Sequence, residues 1–352
     1  MSEQAAGTDR PIRFGAIGLN HFHIYGQTQM LLDAGAELVS FFAEEPELAA
    51  PYGREYPQAR LARSAAEILE DPTLDLIVSA SIASERAGLA IAAMQHGKDA
   101  LVDKPGATSL EQLAELKRVQ QETGRIWSVY FSEHFSTRST VHAGELVQAG
   151  AIGRVVQTTG FGPHRARVQA RPPWFFKREQ YGGILTDIAS HQIEQFLFFT
   201  GSQTASIVTA QVGNFKYPQF PELEDYGDVT LRGDGGLGSI RVDWYTPDGL
   251  PTWGDGRLFI LGTEGYIELR KYVDIAGKPG DEHLFLVDQA GTRHIDCMDM
   301  PLPFGPQLLH DIRNRTQTAV PQARTFLATR LAIQAQLQAT RVDLPPPAIQ
   351  GA

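Results

Sequence analysis

The stretch Gly15-Ala16-Ile17-Gly18-Leu19-Asn20-His21-Phe22-His23 decides how the first third of this 352-residue chain is interpreted. It completes a short apolar segment that begins at Ile12, which predicts a buried β-strand followed by a tight turn. In a G-x-G-x-x-G turn the glycines let the backbone approach the pyrophosphate of a dinucleotide. Gly18 holds the first position, but Asn20 and His23 hold the second and third. Because Asn tolerates a left-handed backbone better than most residues, the turn stays feasible.

The region around this turn alternates short apolar runs with amphipathic ones. Strands are predicted over residues 12–17, 37–42, 74–79, 100–102 and 126–131, and helices up to residue 34 and over 65–69, 84–95 and 109–122. This β-α-β-α order favours a parallel sheet covered on both faces. We therefore predict an α/β protein whose residues 1–131 form a Rossmann dinucleotide-binding domain.

The pattern changes after residue 131. A helix is predicted up to residue 149, a strand over 153–161, a single helix over 185–199, and then six strands, several of them separated by Gly-rich turns such as Asp234-Gly235-Gly236. Helices over residues 306–316 and 323–340 close the chain, and the last is a candidate to pack back on the first domain. Residues 132–352 are thus predicted to be an α+β domain with an open, mostly antiparallel sheet. Such a sheet needs cover, which predicts a homodimer or homotetramer formed through it.

The composition argues against a nucleic-acid-binding protein, a membrane protein and a disulfide-bonded one. The formal net charge is −10 and no basic run occurs, which argues against a nucleic-acid partner. No segment approaches the roughly 20 apolar residues of a membrane span, and the polar N-terminus lacks the core of a signal peptide, so a soluble, cytoplasmic protein is expected. Cys297 is the one cysteine, which excludes an internal disulfide and a cysteine-based zinc site.

Several side chains near the turn are candidates for contact with a nucleotide. Glu44 and Glu45 follow the second strand; an acid there either binds the ribose hydroxyls, favouring NAD over NADP, or is simply an exposed acid at a helix start. His21 and His23 could share a metal, could donate to a phosphate or substrate, or could pack locally. Since no acid or third His is close in sequence, we favour contact with a ligand and predict no metal.

Two later motifs are candidates for a reaction centre. Lys104 follows the strand over 100–102, at the strand end where ligand crevices of α/β sheets lie, although a surface Lys in a turn is the alternative. Asp187 and His191 are four residues apart and would share one face of the predicted helix, so the carboxylate could orient the imidazole as a base. The alternative is a pair on the helix surface. The glycines at 182 and 183 would let the chain approach a ligand closely.

In these motifs the chain resembles the Gfo/Idh/MocA oxidoreductases over nearly its whole length. Asp103-Lys104-Pro105 is similar to the family's E-K-P motif, and the segment from Tyr181 through Asp187 to His191 is similar to its G-G-G-x-L-x-D-x-x-x-H segment. The resemblance implies NAD or NADP as cofactor and cyclic sugars, inositols and related polyols as substrates. It also implies that Lys104, Asp187 and His191 are catalytic and contact the substrate, with His191 as acid/base.

The resemblance also shows where this sequence departs from the family. Asp103 replaces Glu and Tyr181 replaces the first Gly of the triplet, while Ser81 begins the segment that stands for T-P-N and Arg86 stands at a nearby His position. These changes cluster on the cofactor side. The predicted cofactor-binding residues are Gly18, Asn20, His21, Phe22, His23, Glu44, Ser81, Asp103 and Lys104.

A cluster of aromatic and basic residues precedes the second motif. It contains His164, Arg165, Arg167, Arg171, Trp174, Phe175, Phe176 and Lys177. Such a cluster could stack on a sugar ring and pair with an acidic group, or could be a solvated loop with a buried Trp. We predict that His164, Arg165, Trp174 and Lys177 bind the substrate.

The sequence therefore predicts a dehydrogenase or reductase of a cyclic polyol, sugar or sugar derivative. One alternative keeps the nucleotide but uses redox chemistry for epimerisation or glycoside cleavage. Another is a catalytically inactive, nucleotide-binding regulatory protein.

Overall fold

The computed structural model describes residues 10–342, which form two compact units. The first unit runs through Ser136 and takes in Pro301–Thr329, and the second comprises Thr137–Met300 and continues from Arg330. The sequence placed the boundary after residue 131, with the last helix as a candidate to pack back on the first domain. The structure places the division later and groups the Pro301–Thr329 segment with the first unit. Residues 1–9, on which the signal-peptide expectation partly rests, lie outside the described part.

The first unit contains a six-stranded sheet whose pairs are all parallel. Its strands are β1 (Arg13–Ile17), β2 (Glu37–Phe42), β3 (Arg60–Leu61), β4 (Leu76–Ser79), β5 (Asp99–Asp103) and β6 (Trp127–Tyr130), in the order β3-β2-β1-β4-β5-β6. The central strands are buried on both sides, as their continuous apolar runs predict. The order reverses between β1 and β4, which is where a doubly wound sheet opens its ligand crevice.

Seven α-helices of the described residues lie wholly in this unit. They are α1 (His23–Asp33), α2 (Pro46–Glu55), α3 (Ala65–Leu69), α4 (Arg86–Gln95), α5 (Leu110–Thr123), α6 (Ser132–Phe135) and, late in the chain, α11 (Phe304–Asn314). The α5 helix begins where its sequence indicates, because the hydroxyl of Ser109 accepts from the Gln112 amide, and it ends at Gly124 in the left-handed conformation. The structure adds α2, which was not predicted from the sequence.

The second unit is built on a nine-stranded mixed sheet. Its strands are β7 (Val155–Pro163), β8 (Ala205–Gly213), β9 (Tyr226–Gly233), β10 (Leu237–Asp243), β11 (Arg257–Gly262), β12 (Tyr266–Arg270), β13 (His283–Asp288), β14 (Gly291–Asp296) and β15 (Thr340–Arg341), in the order β14-β13-β12-β11-β7-β10-β9-β8-β15. The predicted open, mostly antiparallel sheet is confirmed, and the Asp234-Gly235-Gly236 turn joins the antiparallel strands β9 and β10. The pairs β7–β10 and β8–β15 are parallel. β14 was not predicted because its residues are almost all exposed and show no apolar alternation.

The helices of the second unit are α7 (Arg138–Gln148), α8 (Arg178–Tyr181), α9 (Ile184–Asp187) and α10 (Ala189–Thr200). The last helix, α12 (Gln322–Gln338), has residues in both units. Two predicted helices were wrong as single elements. The helix predicted up to residue 149 is divided into α6 and α7, and the one over 185–199 is divided into α9 and α10. Within residues 10–342 no helix is both long enough and apolar enough to span a bilayer.

Candidate active site

The turn after β1 brings together the strands on either side of the switch point. The Gly18 amide donates to the Phe42 carbonyl at 3.1 Å, and the Gly18 carbonyl accepts from the Ala80 amide at 3.1 Å. Gly18 has a φ of +75°, and a Cβ built there would lie 2.5 Å from the Cβ of Ser81. Glycine is therefore required here by the positive φ and by the close packing against Ser81, and the turn lies at the switch point where a doubly wound sheet binds a dinucleotide.

Asn20, at the second position of the turn, is held by a hydrogen bond from its side chain. Its Nδ2 donates to Oε1 of Glu45 at 2.8 Å, and Asn20 is not among the residues with positive φ. The tolerance of Asn for a left-handed backbone is therefore not the reason for its presence. The structure places Glu45 against the turn, whereas Glu44 is exposed. Spacing alone could not choose between two adjacent acids.

His21 and His23 both contact the carboxylate of Asp103, at the end of β5. The Nδ1 of His21 lies 3.3 Å from Oδ2 and the Nδ1 of His23 lies 3.0 Å from Oδ1. The sequence showed no acid near the two histidines because Asp103 is 80 residues from His23 along the chain. These three side chains could hold a metal ion, since their ligand atoms lie within 4.8 Å of one another. The ring of Phe22 stacks on His21 at 4.7 Å.

Arg86 connects Asp103 to both neighbouring turns. Its side chain is 2% exposed, and one terminal nitrogen lies 3.4 Å from Oδ2 of Asp103. Its Nε donates to the Ser81 carbonyl at 2.8 Å, and its other terminal nitrogen donates to the Lys104 carbonyl. Arg86 thus ties the turn after β4 to the turn after β5. Lys104 is 4% exposed, so the alternative of a surface lysine is wrong.

The charges in this cluster shift two pKa values in the same direction. Burial, followed by the neighbouring charge of His23, holds the pKa of His21 well below its ordinary value of 6.5. Burial alone would raise the pKa of Asp103, but the charges of His23 and Arg86 outweigh it and hold that pKa well below 3.8. The native cluster therefore contains a neutral His21 beside an ionised Asp103 over most of the accessible pH range.

We expect the free energy of unfolding to fall as the pH is lowered from 6.5 towards 5. The unfolded chain protonates His21 near its ordinary pKa of 6.5 while the native state does not, so stability rises with pH in this window by at most about 1.4 kcal/mol per pH unit. The contribution of the ionised Asp103 to the free energy of unfolding is lost only in more acidic solution. Urea unfolding at several pH values should show this slope reduced in His21→Asn and unchanged in His96→Asn, which replaces an exposed histidine. If the free energy of unfolding depended on pH equally in the wild type and both variants, His21 would not be the group responsible.

In the second unit the paired glycines shape the start of α9. Gly182 and Gly183 have φ values of +89° and +93°. A Cβ on Gly183 would lie 2.3 Å from Oε1 of Gln336 and 2.7 Å from Cζ of Arg178. The close approach made at Gly183 is therefore to protein atoms, which corrects the expectation that this glycine faces a ligand.

Buried polar groups satisfy the first amides of α9. Oε2 of Glu224 accepts from the Ile184 amide at 2.9 Å and Oε1 of Gln336 accepts from the Leu185 amide at 2.9 Å. Tyr181 holds the Glu224 segment, because its hydroxyl accepts from the Glu224 amide at 3.1 Å and donates to the Glu222 carbonyl at 3.0 Å. Tyr181 is thus a structural anchor for the helix that carries Asp187, which explains its departure from the glycine triplet.

Replacing Gly183 with Ala should destabilise the protein by about 1–3 kcal/mol, because φ of +93° with ψ of 157° lies in a region that is essentially restricted to glycine. The clash with Gln336 adds to this cost and disturbs the amide contacts of α9. Denaturant unfolding measures the effect. Gly26→Ala is the control. Gly26 lies in α1, where an added Cβ would meet no atom within 4 Å, so this variant should lose no stability. A stable Gly183→Ala protein would contradict the assigned backbone conformation.

Asp187 and His191 lie on either side of a helix break. Asp187 ends α9, Ile188 precedes α10, and the His191 amide donates to the Ile188 carbonyl at 3.2 Å. The expectation that both share a face of one continuous helix is therefore corrected: their relation depends on the break as well as on spacing. His191 is 1% exposed, so the alternative of a surface pair is wrong for this residue.

Members of the predicted substrate-binding cluster contact other residues of the second unit. Arg165 donates to the carbonyls of Pro247 and Leu250 at 2.8 and 2.5 Å, and Lys177 pairs with Glu222 at 2.9 Å on the surface. The ring of His164 lies 4.5 Å from that of Trp253.

Two further rings of this region make aromatic contacts. His164 also lies 5.3 Å from the ring of Trp244, and the ring of Trp174 lies 6.2 Å from that of Phe175. Neither contact tests the predicted roles of His164 and Trp174 in substrate binding. Trp244 was not among the predicted site residues; it begins a long predicted loop, residues 244–257, for which the sequence left a functional role and an interface equally open.

A parallel sheet with a glycine turn at its switch point, followed by a unit that buries His191 beside a helix break, defines a two-domain nucleotide-binding oxidoreductase. Residues 12–131 match the model of the oxidoreductase family with an NAD-binding Rossmann fold, and residues 140–268 match the GFO/IDH/MocA C-terminal domain. The chain belongs to the Gfo/Idh/MocA oxidoreductase family.

Individual relatives agree with this membership. The chain is 27% identical to scyllo-inositol 2-dehydrogenase (NAD(+)) of Bacillus subtilis over 266 residues, which are 74% of either protein. It is 35% identical to D-xylose dehydrogenase of Paenarthrobacter nicotinovorans over 194 residues, half of each chain. A crystal structure from Erwinia carotovora atroseptica, described only in general terms as an oxidoreductase, superposes with a TM-score of 0.92 at 48% identity, covering 94% of this chain and all of that one.

Proposed function

We propose that this protein is an NAD(P)-dependent dehydrogenase or reductase that acts on a secondary alcohol or ketone of a cyclic polyol, sugar or sugar derivative. The observation that carries the proposal is the buried His191, four residues beyond Asp187, in the C-terminal domain of a family whose relatives include inositol and xylose dehydrogenases. Neither alternative, the redox-assisted epimerisation or glycoside cleavage and the inactive regulatory protein, has comparable support.

The residues present fit a nicotinamide dinucleotide, because the Gly18 turn follows the first strand at the switch point of the parallel sheet and an acid, Glu45, lies against it. When bound, the nicotinamide accepts or returns a hydride. Gly18, Asn20, His21, Phe22, His23 and Ser81 would line its site, with Asp103 and Lys104 beside them. Glu45 supports the turn through Asn20, so we propose Glu44 or Glu45 as the acid that favours NAD over NADP.

The reaction needs a group that takes the hydroxyl proton as the carbon gives up its hydride. We propose His191 for that role, since an imidazole can accept and return a proton near neutral pH. Asp187 would stabilise the imidazolium that forms, and Lys104 would donate to the substrate oxygen as negative charge develops on it. No metal takes part in this proposal, since Arg86 already compensates the charge of Asp103.

We also propose that the protein forms an oligomer through the sheet of the second unit. An exposed row crosses the sheet of the second unit, because Leu261 pairs with both Tyr266 and Gln157, and Gln157 pairs with Leu237. Leu261, Tyr266 and Leu237 are each more than 40% exposed. This apolar row supports a homodimer or homotetramer through the sheet. We also propose a cytoplasmic protein with no nucleic-acid partner.

Cofactor titration followed by a turnover assay tests the proposed function. Purified protein is titrated with NAD⁺, NADH, NADP⁺ and NADPH while nicotinamide fluorescence and the melting temperature are followed. It is then assayed with inositols, aldopentoses and aldohexoses. Tight binding of one cofactor pair and reduction of its oxidised form by at least one polyol are expected. Failure of every cofactor to bind would refute the dehydrogenase.

A further inference from the structure

We propose that Arg171 forms a carboxylate-binding subsite beside Asp187, so that the substrate class is a sugar acid rather than a neutral sugar. This inference rests on the proposed function, because it assigns the substrate class of the same site. Arg171 was part of the basic cluster seen in the sequence, but nothing in the sequence separated it from Arg165, Arg167 or Lys177.

The guanidinium of Arg171 is held between two buried aromatic rings. Its Cζ lies 4.4 Å from the centroid of Phe175 and 5.1 Å from that of Trp244, and both rings are 4% exposed. Its Nε donates to the Ala166 carbonyl at 2.9 Å. These contacts fix the plane of the guanidinium before any ligand arrives, which lowers the entropic cost of binding.

The terminal nitrogens of Arg171 have no protein acceptor within residues 10–342, whereas the side-chain nitrogens of Arg165, Lys177 and Arg178 do. Arg165 donates to a loop, Lys177 pairs with Glu222, and Arg178 lies 3.4 Å from Glu224. A half-buried guanidinium with an anchored Nε presents its two terminal nitrogens as parallel donors. That geometry matches a carboxylate, which can accept both bonds at once.

The charge of Asp187 also acts on Arg171. Burial lowers the pKa of Arg171, while the negative charge of Asp187 raises it and the positive charge of Arg167 lowers it further. The charge of Asp187 therefore stabilises the charged form of Arg171, although the two side chains do not form an ion pair. A substrate that carries both a hydroxyl and a carboxylate could present the first to Asp187 and His191 and the second to Arg171.

A second donor of the same cluster is also left without a partner. The indole Nε1 of Trp244 is buried and makes no hydrogen bond in the described part of the chain. Buried donors are normally satisfied, so an unpaired one in a candidate site is consistent with a ligand acceptor. The rings of Phe175, Trp244 and His164 around it provide apolar faces for the carbon skeleton of a sugar.

The test compares matched acid and neutral substrates. Holoprotein loaded with its preferred cofactor is assayed with D-glucuronate against D-glucose and with D-galacturonate against D-galactose. We expect kcat/KM for the acid to exceed that for the neutral partner by at least tenfold. In Arg171→Met, KM for the acid should rise about 10- to 100-fold, with a much smaller change in kcat and none in KM for the neutral sugar. Arg171→Lys should recover part of the loss, because it keeps the charge but not the planar fork.

Arg232→Gln is the matched control, since it removes an exposed arginine of the same unit and should leave both classes of substrate unaffected. Wild-type protein that uses neutral sugars as well as acids, or Arg171→Met that changes both classes equally, would overturn the subsite. If no substrate of either class is turned over, thermal shift decides. A stabilisation by the acids alone that requires Arg171 supports the subsite while the proposed function fails, and no such shift overturns the subsite.

Discussion

Replacing His191 with Ala is expected to lower kcat by about 100- to 10,000-fold while leaving the dissociation constants of the nicotinamide cofactors within about twofold. The imidazole is the side chain proposed to take the substrate's hydroxyl proton. The cofactor-side residues belong to the first unit. Steady-state kinetics together with fluorescence titration of NADH separate the two effects.

The control for this prediction is His142→Ala, which removes a histidine paired with Glu145 on α7 and should leave kcat unchanged. His191→Asn is a second useful variant, because it keeps a polar group in the buried position and so limits any loss of stability. Activity that survives both His191 variants would show that another group carries the proton. A parallel loss of cofactor binding would instead indicate a structural role.

Replacing Arg86 with Met is expected to destabilise the protein by roughly 3–5 kcal/mol, because it leaves the buried carboxylate of Asp103 without its guanidinium partner. The same change removes the donors that hold the Ser81 and Lys104 carbonyls. We therefore also expect KM for the cofactor to rise and kcat to fall in whatever protein remains folded. Urea unfolding in the absence of cofactor gives the free energy of unfolding directly.

Arg118→Met is the matched control. Arg118 pairs with Glu115 and Glu122 on an exposed face of α5, and solvent-exposed pairs of this kind contribute little, so no measurable change is expected. Restoring part of the lost stability by adding Asp103→Asn to Arg86→Met would identify the unpaired charge as the cause. An Arg86→Met protein as stable as wild type would show that Asp103 is compensated in another way.

Most strands and helices of the first unit could be predicted, because the sequence patterns that indicate them are local. The buried strands β1, β2 and β4 are continuous apolar runs, and the start of α5 carries its own Ser109 cap. The break at Ile188 was not predictable in this way, because the apolar pattern continues through it. The start of α9 was not predictable either, because Glu224 and Gln336, which accept from its first amides, come from distant parts of the chain.

The sequence by itself determined the order of most elements, the family and the identity of Lys104, Asp187 and His191 as the proposed catalytic set, because these depend on periodicity and on short motifs. Only the tertiary structure decided which side chains meet. It placed Asp103 against His21 and His23, made Arg86 the buried link between two turns, and distinguished Arg171 from the other cations near it. The physical reason is that charge compensation and burial are properties of contacts between residues remote in sequence, so they follow from the fold and not from any local pattern.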